Sequence, residues 1–175
     1  MKRLGLIVNP VAGMGGRVGL KGSDGVDILR MARYLGAVAE SPRRAELALE
    51  SIVRIKDQIE IITFPHEMGE DEARASGFSP RVIGSILRGK TTPEDTRKAA
   101  KEMALREVDL ILFAGGDGTA RDIFTAIEQH VPVLGIPAGV KIHSAVYAVT
   151  PRQAGEAAYL FLTGRLMRIR EAEVM

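Results

Sequence analysis

Phe113-Ala-Gly-Gly-Asp-Gly-Thr-Ala120 closes a short apolar run, Asp109-Leu-Ile-Leu-Phe-Ala114, and leads into a segment of helical character, Ala120 to Gln129. A continuous apolar run of this length, ended by glycines, predicts a strand buried on both faces. Gly115 to Thr119 is then the turn from strand end to helix start. Ligands of open α/β sheets bind beyond the carboxyl ends of the strands. Gly115, Gly116 and Gly118 would let phosphate oxygens approach backbone N–H groups, and the helix N-terminus behind them adds partial positive charge. Thr119 supplies a hydroxyl donor for phosphate. Asp117 places a carboxylate where it can hold a cation or accept a hydroxyl proton. The same residues also suit a plain strand–helix turn capped by Asp117.

Outward from this turn, strands and helices alternate. Leu4-Gly-Leu-Ile-Val8 reads as a buried strand stopped by Asn9-Pro10, and a glycine-rich stretch follows from Gly13 to Gly25. A helix is expected from about Val26 to Leu35. Ser41-Pro42 offers an N-cap and N1 pair for a helix from Arg43 to Ile55. Ile59 to Phe64 reads as a strand, Glu67 to Glu72 as the opening of a short helix, and Arg81 to Ile86 as a third strand. Thr92-Pro93-Glu94-Asp95 starts a helix running to about Arg106. Pro132 to Ile136 is another strand. Thr150-Pro151-Arg152-Gln153 is a second capped start with Gln153 placed to complete a capping box, and Gly164 is the expected C′ residue. This alternation predicts an α/β domain with a doubly wound parallel sheet, in which Leu4–Val8 and Leu110–Ala114 are interior strands.

Two further loops follow predicted strands. Asn9-Pro-Val-Ala-Gly-Met-Gly-Gly16 lacks the Gly-Lys-[Ser/Thr] ending of a Walker A loop and the spacing of Gly-x-Gly-x-x-Gly. It reads equally as a phosphate-approaching loop or a flexible one. Lys21 and Ser23 extend it with a cation and a hydroxyl. Gly135 to Ser144 brings Lys141, His143 and Ser144 to the same sheet edge, although Lys141 also suits a solvated loop and His143 a structural hydrogen bond. The three loops are expected to converge on one cleft that takes a phosphate-bearing ligand with Mg²⁺ on its oxygens. His66 and His130 show no ligand spacing with His143, so no metal site of protein ligands is expected.

Composition narrows the classes. Of 175 residues, 46% are hydrophobic, enough for a substantial core. The net charge of +2 comes with interleaved basic and acidic residues, as in Arg43-Arg44 with Glu46, so nucleic acid is not an expected partner. The absence of cysteine excludes disulfides, thiolate sites and cysteine nucleophiles. The apolar runs are shorter than the roughly 20 residues that span a bilayer, and a cytoplasmic place is expected.

Gly115-Gly-Asp-Gly-Thr119 and Asn9-Pro10 resemble the motifs shared by the ATP-NAD kinase family and the diacylglycerol-kinase-like and sphingosine-kinase-like enzymes. Gly19-Leu-Lys-Gly-Ser-Asp-Gly25, Glu67-Met-Gly-Glu-Asp-Glu72 and Gly139-Val-Lys-Ile-His-Ser144 resemble the archaeal and AcoX-type branch of ATP-NAD kinases. The lipid kinases carry a Gly-Thr-Gly-Asn-type loop at the last of these. The resemblance implies an NAD kinase or diacylglycerol kinase-like N-terminal domain over residues 1–165. It implies phosphoryl transfer from ATP or polyphosphate to a hydroxyl, the 2′-hydroxyl of NAD's adenosine ribose in NAD kinases, with Asp117 as the base. Asn9, Lys21, Ser23, Gly115, Gly116, Gly118, Thr119, Lys141, His143 and Ser144 are the expected nucleotide contacts. Family members also have a β-rich C-terminal domain with an Asn-Glu motif, which this sequence lacks. Residues 166–175 are expected to open that domain, leaving this part with little activity by itself and a tendency to form homo-oligomers. A lipid or other alcohol acceptor, or a non-catalytic nucleotide-sensing module, are the alternatives.

Overall fold

Successive residues of a strand point to opposite sides of the sheet, and the first strand of the computed structural model uses both sides for apolar packing. The structure describes residues 1–20, 25–139 and 141–175. In β1 (Lys2–Val8), Leu4, Leu6 and Val8 enter one core cluster and Ile7 the other. The strand β4 (Leu110–Gly115) repeats the pattern, with Leu110, Leu112 and Ala114 on the first side and Ile111 and Phe113 on the second. Such two-sided burial suits only a strand covered by helices on both faces.

The remaining elements are α1 (Met14–Arg17), α2 (Val26–Tyr34), α3 (Ser41–Ile52), β2 (Ile59–Thr63), α4 (Glu70–Ala75), β3 (Arg81–Val82), α5 (Pro93–Leu105), α6 (Asp117–Ile127), β5 (Val133–Pro137) and α7 (Pro151–Leu162). The five strands are parallel and ordered β3-β2-β1-β4-β5, which places β1 and β4 inside the sheet as expected. The core residues of α3 and α7 cover one face, those of α5 and α6 the other. Among the described residues no helix is long and apolar enough to cross a membrane.

The differences from expectation are local. Glu40, not Ser41, is the N-cap of α3, and the Ser41 hydroxyl is buried without a partner among the described residues. The third strand is two residues long rather than six. Gly84 turns the chain there at φ +71°, in a place where a Cβ would lie 2.4 Å from the Phe64 ring. The helix α6 starts at Asp117 rather than Ala120, because β4 continues through Gly115. At α7 the Thr150 hydroxyl accepts from the Gln153 N–H at 3.2 Å, as a cap should, and Gly164 has the expected left-handed φ of +74°. At α5 the capping box of Thr92 and Asp95 is complete. Residues 166–175 form no strand. They return to the loop before α7, where Ala145 N–H donates to the Glu173 carbonyl at 3.0 Å and Met175 N–H to the Ser144 hydroxyl at 2.9 Å.

Two sites test the packing. A Cβ on Gly155 of α7 would lie 1.9 Å from the Ala48 carbonyl oxygen of α3, so the two helices meet only because position 155 has no side chain. Gly155→Ala is expected to lower the unfolding free energy by about 1–3 kcal/mol despite the better helix propensity of alanine, read by chemical denaturation; an unchanged midpoint would contradict that helix contact. Glu72 of α4 is only 3% exposed and one of its carboxylate oxygens has no partner among the described residues. Burial, with Asp71, Glu46 and Glu67 nearby, pushes its carboxyl from 4.5 up to about 7. The folded state therefore holds a proton that the unfolded state releases, so this group destabilises the fold progressively as pH rises from 4.5 to about 7. Glu72→Gln should recover on the order of 3 kcal/mol at pH 8 and little at pH 4, measured as denaturation midpoints across pH; equal gains at both pH values would exclude the titration.

Candidate functional site

A single residue, Gly116, separates the last residue of β4 from the first of α6. Gly115 has no space for a side chain, since its Cβ would lie 2.3 Å from the Thr119 hydroxyl. Gly116 is extended, at φ −114°, and acts as the N-cap. Its carbonyl accepts the Ala120 N–H at 3.1 Å, which is where the helical ladder starts. The N–H groups of the turn before it have no ladder partner and point out of the helix end. That is the geometry of an anion site.

Neighbouring loops complete the site. Asn9, just past β1, donates from Nδ2 to the Thr119 hydroxyl at 3.0 Å and accepts the Val11 N–H on Oδ1 at 3.2 Å. With its oxygen already accepting, the buried Thr119 hydroxyl keeps its proton for a ligand. Gly13 adopts φ +77°, and a Cβ there would sit 2.1 Å from the Ala138 carbonyl oxygen. The loop after β1 thus abuts the loop after β5, with the β4–α6 turn between them. The three loops surround one cleft of about 770 Å³ that includes Asn9 to Gly13, Gly116 to Thr119, Gly139 and Lys141.

Asp117 lines this cleft, half-buried. Its two carboxylate oxygens accept the backbone N–H groups of His143, at 2.9 Å, and Ser144, at 3.0 Å. Burial pushes its carboxyl up, but the hydrogen bonds from Ser144 and His143 outweigh this and hold it below the usual aspartate range. The group is therefore an ionised carboxylate that also fastens the loop after β5 to the start of α6. Each oxygen retains acceptor capacity beyond these bonds.

The sequence-derived contacts divide by position. Asn9, Gly116, Gly118, Thr119 and Lys141 line the cleft, and Gly115 lies beneath it with its carbonyl bound by Ala138 N–H at 3.0 Å. His143 and Ser144 meet the site through their backbone, and the Ser144 hydroxyl accepts from Met175. Lys21 and Ser23 lie outside the described residues. His66 contacts Arg88 and His130 contacts the Ile127 carbonyl, both away from the cleft. Among the described residues no group of three or more His, Asp or Glu side chains could hold a metal.

Three further residues take part around the site beyond the sequence-derived contacts. Tyr147 donates its hydroxyl to the Gly116 carbonyl at 2.5 Å and meets the Phe113 ring edge-on at 5.3 Å. Burial, and then the Asp117 charge, raise its phenol further above the ordinary range, so it stays a donor. Its ring occupies the space over Gly135, where a Cβ would come within 2.3 Å. Arg44 of α3 donates to the Pro137 carbonyl at 2.8 Å, holding the end of β5. Arg121 lines the cleft one helical turn beyond Asp117, a spacing that could have revealed it.

A curated protein of Yersinia enterocolitica described as "Probable lipid kinase YegS-like" is 31% identical over 115 residues, 62% of this chain and 39% of that protein. The "Diacylglycerol kinase" of Bacillus subtilis is 42% identical over 66 residues, 36% of this chain and 22% of that protein. The chain thus spans well under half the length of the relatives it matches. A crystal structure of a diacylglycerol kinase from Bacillus anthracis str. Sterne aligns over 93% of this chain and 42% of that one, with 21% identity and a TM-score of 0.41. The model of the ATP-NAD kinase N-terminal domain matches residues 4–166, from the middle of β1 to just past α7, including all three cleft loops. The chain belongs to the ATP-NAD kinase family.

Proposed function

We propose that the cleft binds ATP and that the protein transfers its terminal phosphoryl group to a hydroxyl. The observation that carries this reading is the free end of α6, where glycine-flanked N–H groups, the Thr119 hydroxyl and the cations Arg121 and Lys141 share one cleft with an ionised carboxylate. Polyphosphate is a second donor of the same chemistry. The NAD ribose 2′-hydroxyl is the acceptor implied by the family. The names of the relatives favour a lipid alcohol, such as diacylglycerol, as the competing acceptor. Turnover assays with NAD and with dispersed diacylglycerol, each with ATP, separate the two. Tight nucleotide binding with turnover of neither would support the sensing module instead.

Phosphoryl transfer depends mainly on positioning and on charge stabilisation. In this reading the N–H groups of the α6 turn and the Thr119 hydroxyl hold the phosphates, while Arg121 and Lys141 offset their charge. Mg²⁺ needs few protein ligands when phosphates supply the rest. Asp122 is engaged by Arg97 at 2.6 Å, so Asp117 is the carboxylate that suits such an ion or, alternatively, the acceptor's proton. Bound Mg²⁺ supplies charge neutralisation at the phosphate oxygens. A carboxylate held below its usual range is a weak base, which suits late proton transfer after the phosphoryl group has begun to move.

Asp117→Asn is expected to lower turnover by about 10²-fold or more while changing the ATP dissociation constant far less, read by steady-state kinetics beside calorimetry. Near-normal turnover in a folded variant would remove Asp117 from the chemistry and leave it a loop fastener. Thr119→Ala should show the opposite balance. It deletes a phosphate donor and leaves Asn9 Nδ2 without its acceptor, so ATP affinity should fall by roughly tenfold; unchanged affinity would mean that Thr119 only packs under Gly115.

A further inference from the structure

The cleft has a second wall that the phosphate chemistry does not use, the start of α5. Thr91, Thr92, Pro93 and Thr96 line it, with Asp122 beside them. This helix end is not set for an anion. Pro93 has no N–H, the Asp95 N–H is taken by the Thr92 hydroxyl, and the Asp95 carboxylate accepts the Thr92 N–H at 2.8 Å and its hydroxyl at 3.0 Å. Glu94 and Asp95 set negative charge over the same turn. Arg97 pairs with both Glu94 and Asp122, so the lining of this wall is polar and uncharged where the α6 wall is cationic.

Within it, Thr96 is only 3% exposed yet faces the cleft. Threonine in a helix commonly returns its hydroxyl to the carbonyl four residues back. Here the Thr92 carbonyl already accepts the N–H groups of Asp95 at 3.0 Å and Thr96 at 3.4 Å. The Thr96 hydroxyl has no hydrogen-bond partner among the described residues, and it is not one of the polar atoms sealed from solvent. A nearly buried hydroxyl that lines a binding cleft calls for a partner on the ligand.

Resting on ATP as the donor, we propose that Thr96 holds the ribose end of the nucleotide, its hydroxyl bonded to the ribose 2′,3′-diol while the phosphates lie over the start of α6. The two walls differ in the way such a ligand differs along its length. The α6 wall presents N–H donors and cations to the anionic tail. The α5 wall presents a hydroxyl, able to donate and accept, among uncharged lining residues. A ribose diol, neutral and both donor and acceptor, matches the second wall.

The test crosses three proteins, wild type, Thr96→Val and Thr96→Ser, with two ligands, ATP and 2′,3′-dideoxy-ATP, by calorimetry. Thr96→Val keeps the shape and removes the hydroxyl. It should weaken ATP about threefold to tenfold and leave dideoxy-ATP unchanged. Thr96→Ser should bind ATP as the wild type does, and the wild type should itself lose a similar factor on dideoxy-ATP. An equal loss for both ligands in Thr96→Val, or no loss for either, would overturn the ribose contact while leaving ATP binding standing. A wild type that binds no ATP would overturn the donor reading and the ribose contact with it. A melting temperature for Thr96→Val equal to the wild type shows that the readout is binding rather than folding.

Discussion

The passage from β4 to α6 through one residue is the constraint on which the site depends. A strand buried on both faces must deliver the chain directly into a helix that packs back against the same sheet. The Thr119 side chain fills the place where a Cβ of Gly115 would stand, at 2.3 Å, so the turn closes over its own fourth residue. That closure brings the unpartnered N–H groups of α6 to the sheet edge. It also places Thr119 within 3.0 Å of Asn9 from the adjacent interior strand. The anion-binding end of the helix is thus a consequence of how tightly the strand is joined to it.

The neighbouring loops are tied to this junction rather than merely near it. Tyr147 holds the Gly116 carbonyl, Asp117 holds the N–H groups of His143 and Ser144, and Ala138 N–H holds the Gly115 carbonyl. Each bond runs from the segment after β5 to the β4–α6 turn. From the other side, Gly13 brings the loop after β1 against Ala138. Arg44 then anchors the end of β5 from α3, so one helix layer is tied to the strand end from which a cleft loop departs. Asp117 accordingly has two physical tasks. Its charge faces the cleft, and its oxygens set the path of a cleft wall. Low basicity and loop order come from the same two hydrogen bonds.

Much of this was legible in the sequence where local chemistry decides conformation. Leu110 to Ala114 and Leu4 to Val8 announced interior strands because every position, not every second one, is apolar or small. Thr92, Thr150 and Gly164 announced helix ends through capping chemistry that acts over three or four residues. Expectation failed where a distant contact overrode local preference. Ser41 would cap a helix in isolation, but its hydroxyl is buried and the chain enters α3 one residue earlier. The strand expected from Arg81 to Ile86 stops after two residues because Gly84 must turn under the Phe64 ring.

The sequence by itself determined the element types, the interior place of β1 and β4, and the glycine turn with Asp117 and Thr119. Apolar periodicity, glycine and capping residues act on their near neighbours and need no tertiary knowledge. The tertiary structure alone decided what those residues face. That the Thr119 hydroxyl accepts from Asn9, which N–H groups hold Asp117, that Tyr147 and Arg44 fasten the loops around the cleft, and that Thr96 lines it all depend on contacts between residues 26 or more apart in the chain or on walls made of several loops. Such contacts leave no local periodicity, because the partner that gives each side chain its role is brought there by the sheet order and by the helices packed across it.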